Sequence, residues 1–231
     1  MKKAFVPRFD ILPPAQRRLW PVLGPVVRHG FVLYGGTAVA LRCGHRTSVD
    51  FDFFGDRPLD VDPLTLDLPF LLKAQVLQNT ENTLTVSVLS ERKKEKPVKI
   101  SFFGSIGFGR VDAPEWTEDG VLQVASPLDL MGTKLAVLLK RVVARDYQDI
   151  AALIRSGVSL NKGLAVAQVL YGFSFQPSEA LKALVYFKGG DLSTLPRLDR
   201  QLLVEAVKKV GPLPVIRSVS KKLGLSPRPV T

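Results

Sequence analysis

One cysteine and two histidines stand among the 231 residues. A single thiol, Cys43, cannot close an internal disulfide, so a cross-linked secreted scaffold is excluded. Cys43 follows Ala40, Leu41 and Arg42 and reads as a buried, inert thiol. The histidines, His29 and His45, are too few for a histidine-rich phosphohydrolase centre. No apolar run is long enough to cross a bilayer. The richest, residues 31–41, is short and carries Gly35 and Gly36. The opening residues have two lysines but no sustained apolar core, because Asp10 and Pro13-Pro14 interrupt them. They do not read as a signal peptide, so a cytoplasmic location with no membrane partner is expected. Aromatics make up 8% and few fall in basic runs, so stacking on single-stranded nucleic acid is not indicated.

What is abundant is positive charge. Lys plus Arg is 32 against 21 Asp plus Glu, a net charge of +11, with a pI near 9.9. That balance favours anionic partners: nucleic acid, nucleotides or an anionic membrane. Hydrophobic residues at 46% and charged residues at 23% are ordinary for a globular chain. Apolar spacing predicts a helix over 14–28, a strand over 31–34 halted by Gly35-Gly36, and a helix over 37–43 closed by Gly44. A strand over 49–54, a helix over 64–72 and strands over 74–78, 84–89, 98–103 and 121–124 follow. The charged stretch 91–96 reads as a hairpin tip. From Ser126 on, strand patterning vanishes. Ser126-Pro127-Leu128-Asp129 is a helix start, with a capping serine, proline at the first position and a carboxylate at the third. Helices are expected to about 143, from 146, and over 161–171, 177–187 and 199–210, with 221–231 fraying. The expected fold is α+β: a mixed sheet with flanking helices over residues 1–125, then a helical part over 126–231.

The chemistry concentrates in Val49-Asp50-Phe51-Asp52-Phe53-Phe54. In a strand alternate side chains share a face, so Asp50 and Asp52 point together, roughly 6.6 Å apart along the chain. Two carboxylates so placed can converge on a hard divalent cation, Mg²⁺ or Mn²⁺, whose other ligands are water and phosphate oxygens. Upstream, Gly35-Gly36-Thr37 forms a strand-to-helix turn. Its first N–H groups can hold phosphate. Gly44-His45-Arg46 and Ser48 lead directly into the carboxylates, so His45, Arg46 and Ser48 are candidate phosphate or base contacts.

The run from Leu33 to Leu41, with Gly44-His45-Arg46 and Ser48-Val49-Asp50-Phe51-Asp52-Phe53-Phe54, resembles the AbiEii/AbiGii toxin group of nucleotidyltransferases, within the polymerase-beta-like superfamily. That superfamily's signature is Gly-Ser or Gly-Gly, a spacer, then Asp-x-Asp; here residues 38–49 form the spacer. Thr133-Lys134-Leu135-Ala136-Val137-Leu138 and Arg145-Asp146-Tyr147-Gln148-Asp149-Ile150 are similar to the group's second block. The likeness covers about residues 15–160. It implies a nucleotidyltransferase-like sheet and a metal-dependent enzyme that moves a nucleoside monophosphate from a nucleoside triphosphate to RNA, transfer RNA included, or to protein. It also implies a toxin role with an antitoxin partner.

Lys134, Leu138 and Arg141 fall at i, i+4 and i+7 of one expected helix, so Lys134 and Arg141 would present a cationic face to the triphosphate. An exposed Lys134 is expected there, sharing the site with Asp50 and Asp52 to offset charge. Asp146 and Asp149 open the next helix. Many superfamily members carry a third catalytic carboxylate on a later strand. Here that position is Ser101, with Lys99 on the same face. Either Asp146 or Asp112 takes that role, or the chemistry needs no third acid, or the chain is a catalytically weak nucleotide- or RNA-binding module.

Overall fold

The computed structural model describes residues 4–90, 92 and 95–225. They form two compact units. The first takes the described residues up to Gly109, Ala113–Ala125 and those from Ser220 on; the second takes Arg110–Asp112 and Ser126–Val219.

The first unit is built on eight strands: β1 (Ala4–Phe5), β2 (Val32–Tyr34), β3 (Asp50–Phe54), β4 (Gln75–Thr80), β5 (Thr83–Val88), β6 (Val98–Phe103), β7 (Glu115–Thr117) and β8 (Gln123–Val124). Their order is β1-β7-β8-β2-β3-β6-β5-β4. The sheet is mixed: β2 is antiparallel to β3, and β3 is parallel to β6. The apolar parity of the central strands is fully buried. The Phe53 and Phe102 rings stack at 5.3 Å, and Trp20 lies 6.2 Å from Phe51 while its Nε1 donates to Asp119.

Two expected helices are shorter because of proline. The segment 14–28 divides into α1 (Pro14–Leu19) and a 3₁₀ stretch, Trp20–Val27, which contains Pro21, Gly24 and Pro25. Proline lacks the N–H that an α-helical ladder needs. The segment 64–72 likewise divides into α3 (Val61–Asp67) and a 3₁₀ turn, Pro69–Lys73. Leu68, just before Pro69, leaves helical geometry at φ −125°. Between these lies α2 (Gly35–Cys43), closed by Gly44 in the left-handed region at φ +64°.

Strands β1 and β7 have no counterpart in the apolar pattern. They are two and three residues long, and β7 buries Glu115, whose carboxylate accepts from Arg42 at 2.6 Å. Within 91–96, the hairpin-tip residues Glu91, Lys93 and Lys94 lie outside the described residues; Glu95 pairs with Arg18. The tail is not frayed through its described part. Leu223 is fully buried and its N–H donates to Asp56, while Leu225 and Gln123 exchange hydrogen bonds of 2.7 and 3.0 Å. Residues 226–231 lie outside the description.

The second unit is helical: α4 (Pro127–Leu138), α5 (Ala144–Arg155), α6 (Leu160–Tyr171), α7 (Pro177–Val185) and α8 (Arg197–Lys208). Ser126 caps α4 by accepting from the Asp129 N–H at 3.0 Å. Asp129 in turn accepts from the Val111 and Asp112 N–H groups and from the Ser126 hydroxyl. Glycines let α4 and α6 approach closely. A Cβ on Gly132 would fall 2.6 Å from Val166 Cγ1, and one on Gly163 would run into Met131. Among the described residues no helix is long and apolar enough to cross a membrane.

Candidate functional site

Register fixes what surrounds the aspartates. Asp52 pairs with Tyr34 on β2, and β6 sets Lys99 beside Asp50 and Ser101 beside Asp52. One strand further, Ser87 pairs with Lys99 and Thr85 with Ser101. Phe51 and Phe53 are fully buried while Asp50 and Asp52 are half-buried. The two carboxylates therefore share one sheet face, as their spacing predicts. Directly opposed residues share a face too, so Lys99, Ser101, Thr85 and Ser87 extend a polar surface from the aspartates.

The turn between β2 and α2 lies against this pair. Gly35 has φ +72°, and a Cβ on it would collide with the Asp52 carboxylate, whose Cγ lies 3.1 Å away. The absence of a side chain at Gly35 is what lets backbone and carboxylate approach. Gly35, Gly36 and Thr37 open α2, and the residue before them, Tyr34, gives that helix no side-chain cap. The first N–H groups of a helix have no intrahelical acceptor, and the dipole there favours an anion. The Thr37 side chain does something else. It is 1% exposed; its hydroxyl donates to the Asp50 carbonyl and accepts from the Ser48 hydroxyl. Thr37 and Ser48 thus pin the start of β3 to α2, setting where Asp50 emerges. Arg46 donates to the Thr47 carbonyl at 3.0 Å; it and His45 are half-buried in the loop before β3.

Gly35→Ala is expected to cost about 1–2 kcal/mol of backbone strain. It should also push the Asp52 carboxylate aside and lower turnover on the order of 100-fold, the scale for an ångström-size misplacement. Turnover beside a thermal melt checks this; a folded variant of full activity would refute the close-approach role.

Lys99, placed by parity beside Ser101 as a possible phosphate holder, meets Asp50 here, and the hydroxyl row of β5 was missing from the expected site. Lys99 Nζ lies 3.5 Å from Asp50 Oδ2, so Lys99 belongs to the aspartate face. Thr85 donates to Ser101 Oγ at 3.3 Å. The signal was present: Thr83, Thr85 and Ser87 alternate with Leu84, Val86 and Val88.

In the second unit the structure corrects the expected cationic face. Helix α4 stops at Leu138, so Arg141 does not share it with Lys134. Nor is Lys134 exposed. It is 5% accessible and bonds Asp146 at 2.9 Å and Asp149 at 2.6 Å, both fully buried. Arg141 reaches the same Asp146 with two bonds, 2.7 and 3.0 Å. Two cations and two carboxylates close on one another because burial makes an unpaired charge costly. The helical spacing was right as arithmetic but failed once the helix ended a turn early.

Burial pushes the Asp146 carboxyl up, but the bonds from Arg141 and Lys134 outweigh it and hold it below its ordinary 3.8. A carboxyl held low accepts a proton poorly. Because the folded value is the lower one, the cluster's support is complete above about pH 4 and drains away as pH falls through the folded value. The urea midpoint should therefore drop progressively as pH falls below about 4. Variants lacking Asp146 should lose that component; an unchanged acid limb in Asp146→Asn would refute the assignment.

No group of three or more His, Cys, Asp or Glu residues is arranged for a metal among the described residues. The Asp50–Asp52 face still fits one in kind: two hard carboxylates, half-buried, beside a helix start that can take phosphate.

An uncharacterised protein from Aquifex aeolicus (strain VF5) is 29% identical over 161 residues, covering 68% of this chain and 74% of its own. The fold is similar to that of MenT4, a nucleotidyltransferase toxin from Mycobacterium tuberculosis H37Rv, with a TM-score of 0.57 at 14% identity, covering 85% of this chain and 82% of that one. Residues 25–217 match the family described as "Nucleotidyl transferase AbiEii toxin, Type IV TA system", and the chain belongs to that family.

Proposed function

We propose that this chain transfers a nucleoside monophosphate from a nucleoside triphosphate to a hydroxyl of RNA, with transfer RNA the first acceptor to try. The observation that carries the reading is the shared face of Asp50 and Asp52 beside the start of α2. The new bond joins the acceptor oxygen to the α-phosphorus, the bond to the β-phosphate breaks, and pyrophosphate leaves. Asp50 and Asp52 would hold Mg²⁺ or Mn²⁺, which when bound polarises the phosphoryl group and offsets charge on the leaving group. Backbone N–H groups of Gly35, Gly36 and Thr37 donate to phosphate oxygens. Ser48 positions Asp50 through Thr37, while His45 and Arg46 offer polar contacts to phosphate or base. In the second unit, Asp146 and Asp149 hold Lys134, and Arg141 bonds the same Asp146. Ser101 cannot take the hydroxyl proton as a carboxylate would, so that proton leaves to water.

The charge of +11 supports an RNA acceptor, because cationic surfaces gain by releasing counterions from the phosphate backbone. The type IV family supports pairing with an antitoxin, in the cytoplasm where RNA and nucleotides meet. The replacement of a third carboxylate by Ser101 favours one alternative, a nucleotide- or RNA-binding module without turnover. Incubation with each α-labelled nucleoside triphosphate and total RNA, with and without Mg²⁺, separates the two. Label in RNA only with the metal is expected. Retained nucleotide binding with no label in RNA or protein would establish the binding module.

A further inference from the structure

We infer that the aspartate face holds one divalent cation rather than two, and that the Lys99 ammonium stands where a second would sit. The inference rests on the reading of Asp50 and Asp52 as metal ligands. Two-cation centres set their ions about 3.5–4 Å apart and need carboxylates enough to bridge and to complete both shells. Register names the same-face neighbours here: Tyr34 on one side, Lys99 and Ser101 on the other, with Ser87 and Thr85 beyond. None is a carboxylate or an imidazole. Ser101 is 3% exposed and its Oγ accepts from Thr85 at 3.3 Å, so it offers only a neutral oxygen already engaged in the sheet.

Lys99 makes the exclusion electrostatic as well as numerical. Its Nζ is 3.5 Å from Asp50 Oδ2. A Mg²⁺ ion sits about 2.1 Å from its ligand oxygen, so an ion on the lysine side of that carboxylate would meet the ammonium within a few ångströms. A single ion held by Asp50 and Asp52 away from the ammonium would avoid the clash; a second beside Lys99 would not. Two carboxylates, one ammonium and one Mg²⁺ leave a single net positive charge, which suits an incoming triphosphate without over-binding the pyrophosphate. Lys99 acts here as a positioning residue that fixes ion number and charge.

The count is measured directly. The full-length protein is titrated with Mn²⁺ in the presence of an α,β-methylene nucleoside triphosphate, and bound ion is followed by electron paramagnetic resonance. One Mn²⁺ per chain without Mn–Mn coupling is expected. Lys99→Met should tighten nucleotide-free Mn²⁺ binding roughly two- to fivefold, the scale of a partly exposed ion pair. Lys99→Met combined with Ser101→Asp should admit a second, coupled ion. If that double variant does not fold, the wild-type count decides alone. Two coupled ions in the wild type overturn the inference and leave the aspartate ligands standing. No bound ion, or an ion indifferent to Asp50→Asn, overturns the metal reading itself and the inference with it.

Discussion

Replacing Asp50 and Asp52 together by asparagine should abolish Mg²⁺-dependent triphosphate binding and leave the fold standing. The carboxylates project from one face of β3 and sit half-buried. Asparagine keeps their volume and a carbonyl oxygen but removes both charges. Each charge-assisted contact is worth about 1.5–3 kcal/mol. Losing two weakens binding by roughly 10²–10⁴-fold, since 1.4 kcal/mol is a factor of ten. Stability pulls the other way. The Lys99–Asp50 pair is partly exposed, with side chains 44% and 26% accessible, and such pairs contribute about 1 kcal/mol or less. Relief of carboxylate–carboxylate repulsion offsets part of that. Calorimetry on a variant with an unchanged thermal midpoint checks both halves. Undiminished affinity for the Mg²⁺–nucleotide would remove Asp50 and Asp52 from the site.

Lys134→Met should be the most destabilising single change in the helical unit. Read from helical spacing alone, Lys134 would be a surface lysine whose loss is nearly neutral. The structure buries it against two carboxylates that are themselves fully inaccessible. Removing one partner of a buried ion pair costs about 3–5 kcal/mol, because the remaining charge is stranded. Arg141 still neutralises Asp146, so the cost falls mainly on Asp149. For a chain of this size that corresponds to a fall in Tm of about 6–20 °C. Adding Asp149→Asn should return much of it, and the double-mutant cycle measures the coupling. A shift under about 2 °C in Lys134→Met would show the cluster contributes little.

The aspartate face and its glycine turn were legible because they depend on short-range rules. Alternation put Asp50 and Asp52 together, and Gly35-Gly36 marked the turn. The helical unit was legible from Ser126 on because its start signals and apolar spacing agreed. What failed had particular physical reasons. Pro25 and Pro69 shortened two helices whose apolar spacing continued through them. Strands β1 and β7 owe their existence to pairing across more than a hundred residues, Ala4 with Trp116, which no local pattern encodes. Lys134 looked exposed because its partners, Asp146 and Asp149, lie on the next helix and meet it only after the chain turns. Lys99 was visible by parity, but its contact with Asp50 depends on β3 and β6 pairing in parallel, with more than forty residues between them.

The docking of Leu223 and Leu225 into the sheet-bearing unit has a consequence in time. That unit takes its last buried side chain from the end of the chain, after the whole helical unit has been made. About 100 residues separate β8 from that point, and translation at about 5–20 residues per second spends roughly 5–20 s on them. During that interval the ribosome carries a nascent sheet with Gln123 and Asp56 still lacking their partners from the tail. The sheet-bearing unit is therefore completed only after the helical unit has been made, a delay written into the order in which the polypeptide is threaded.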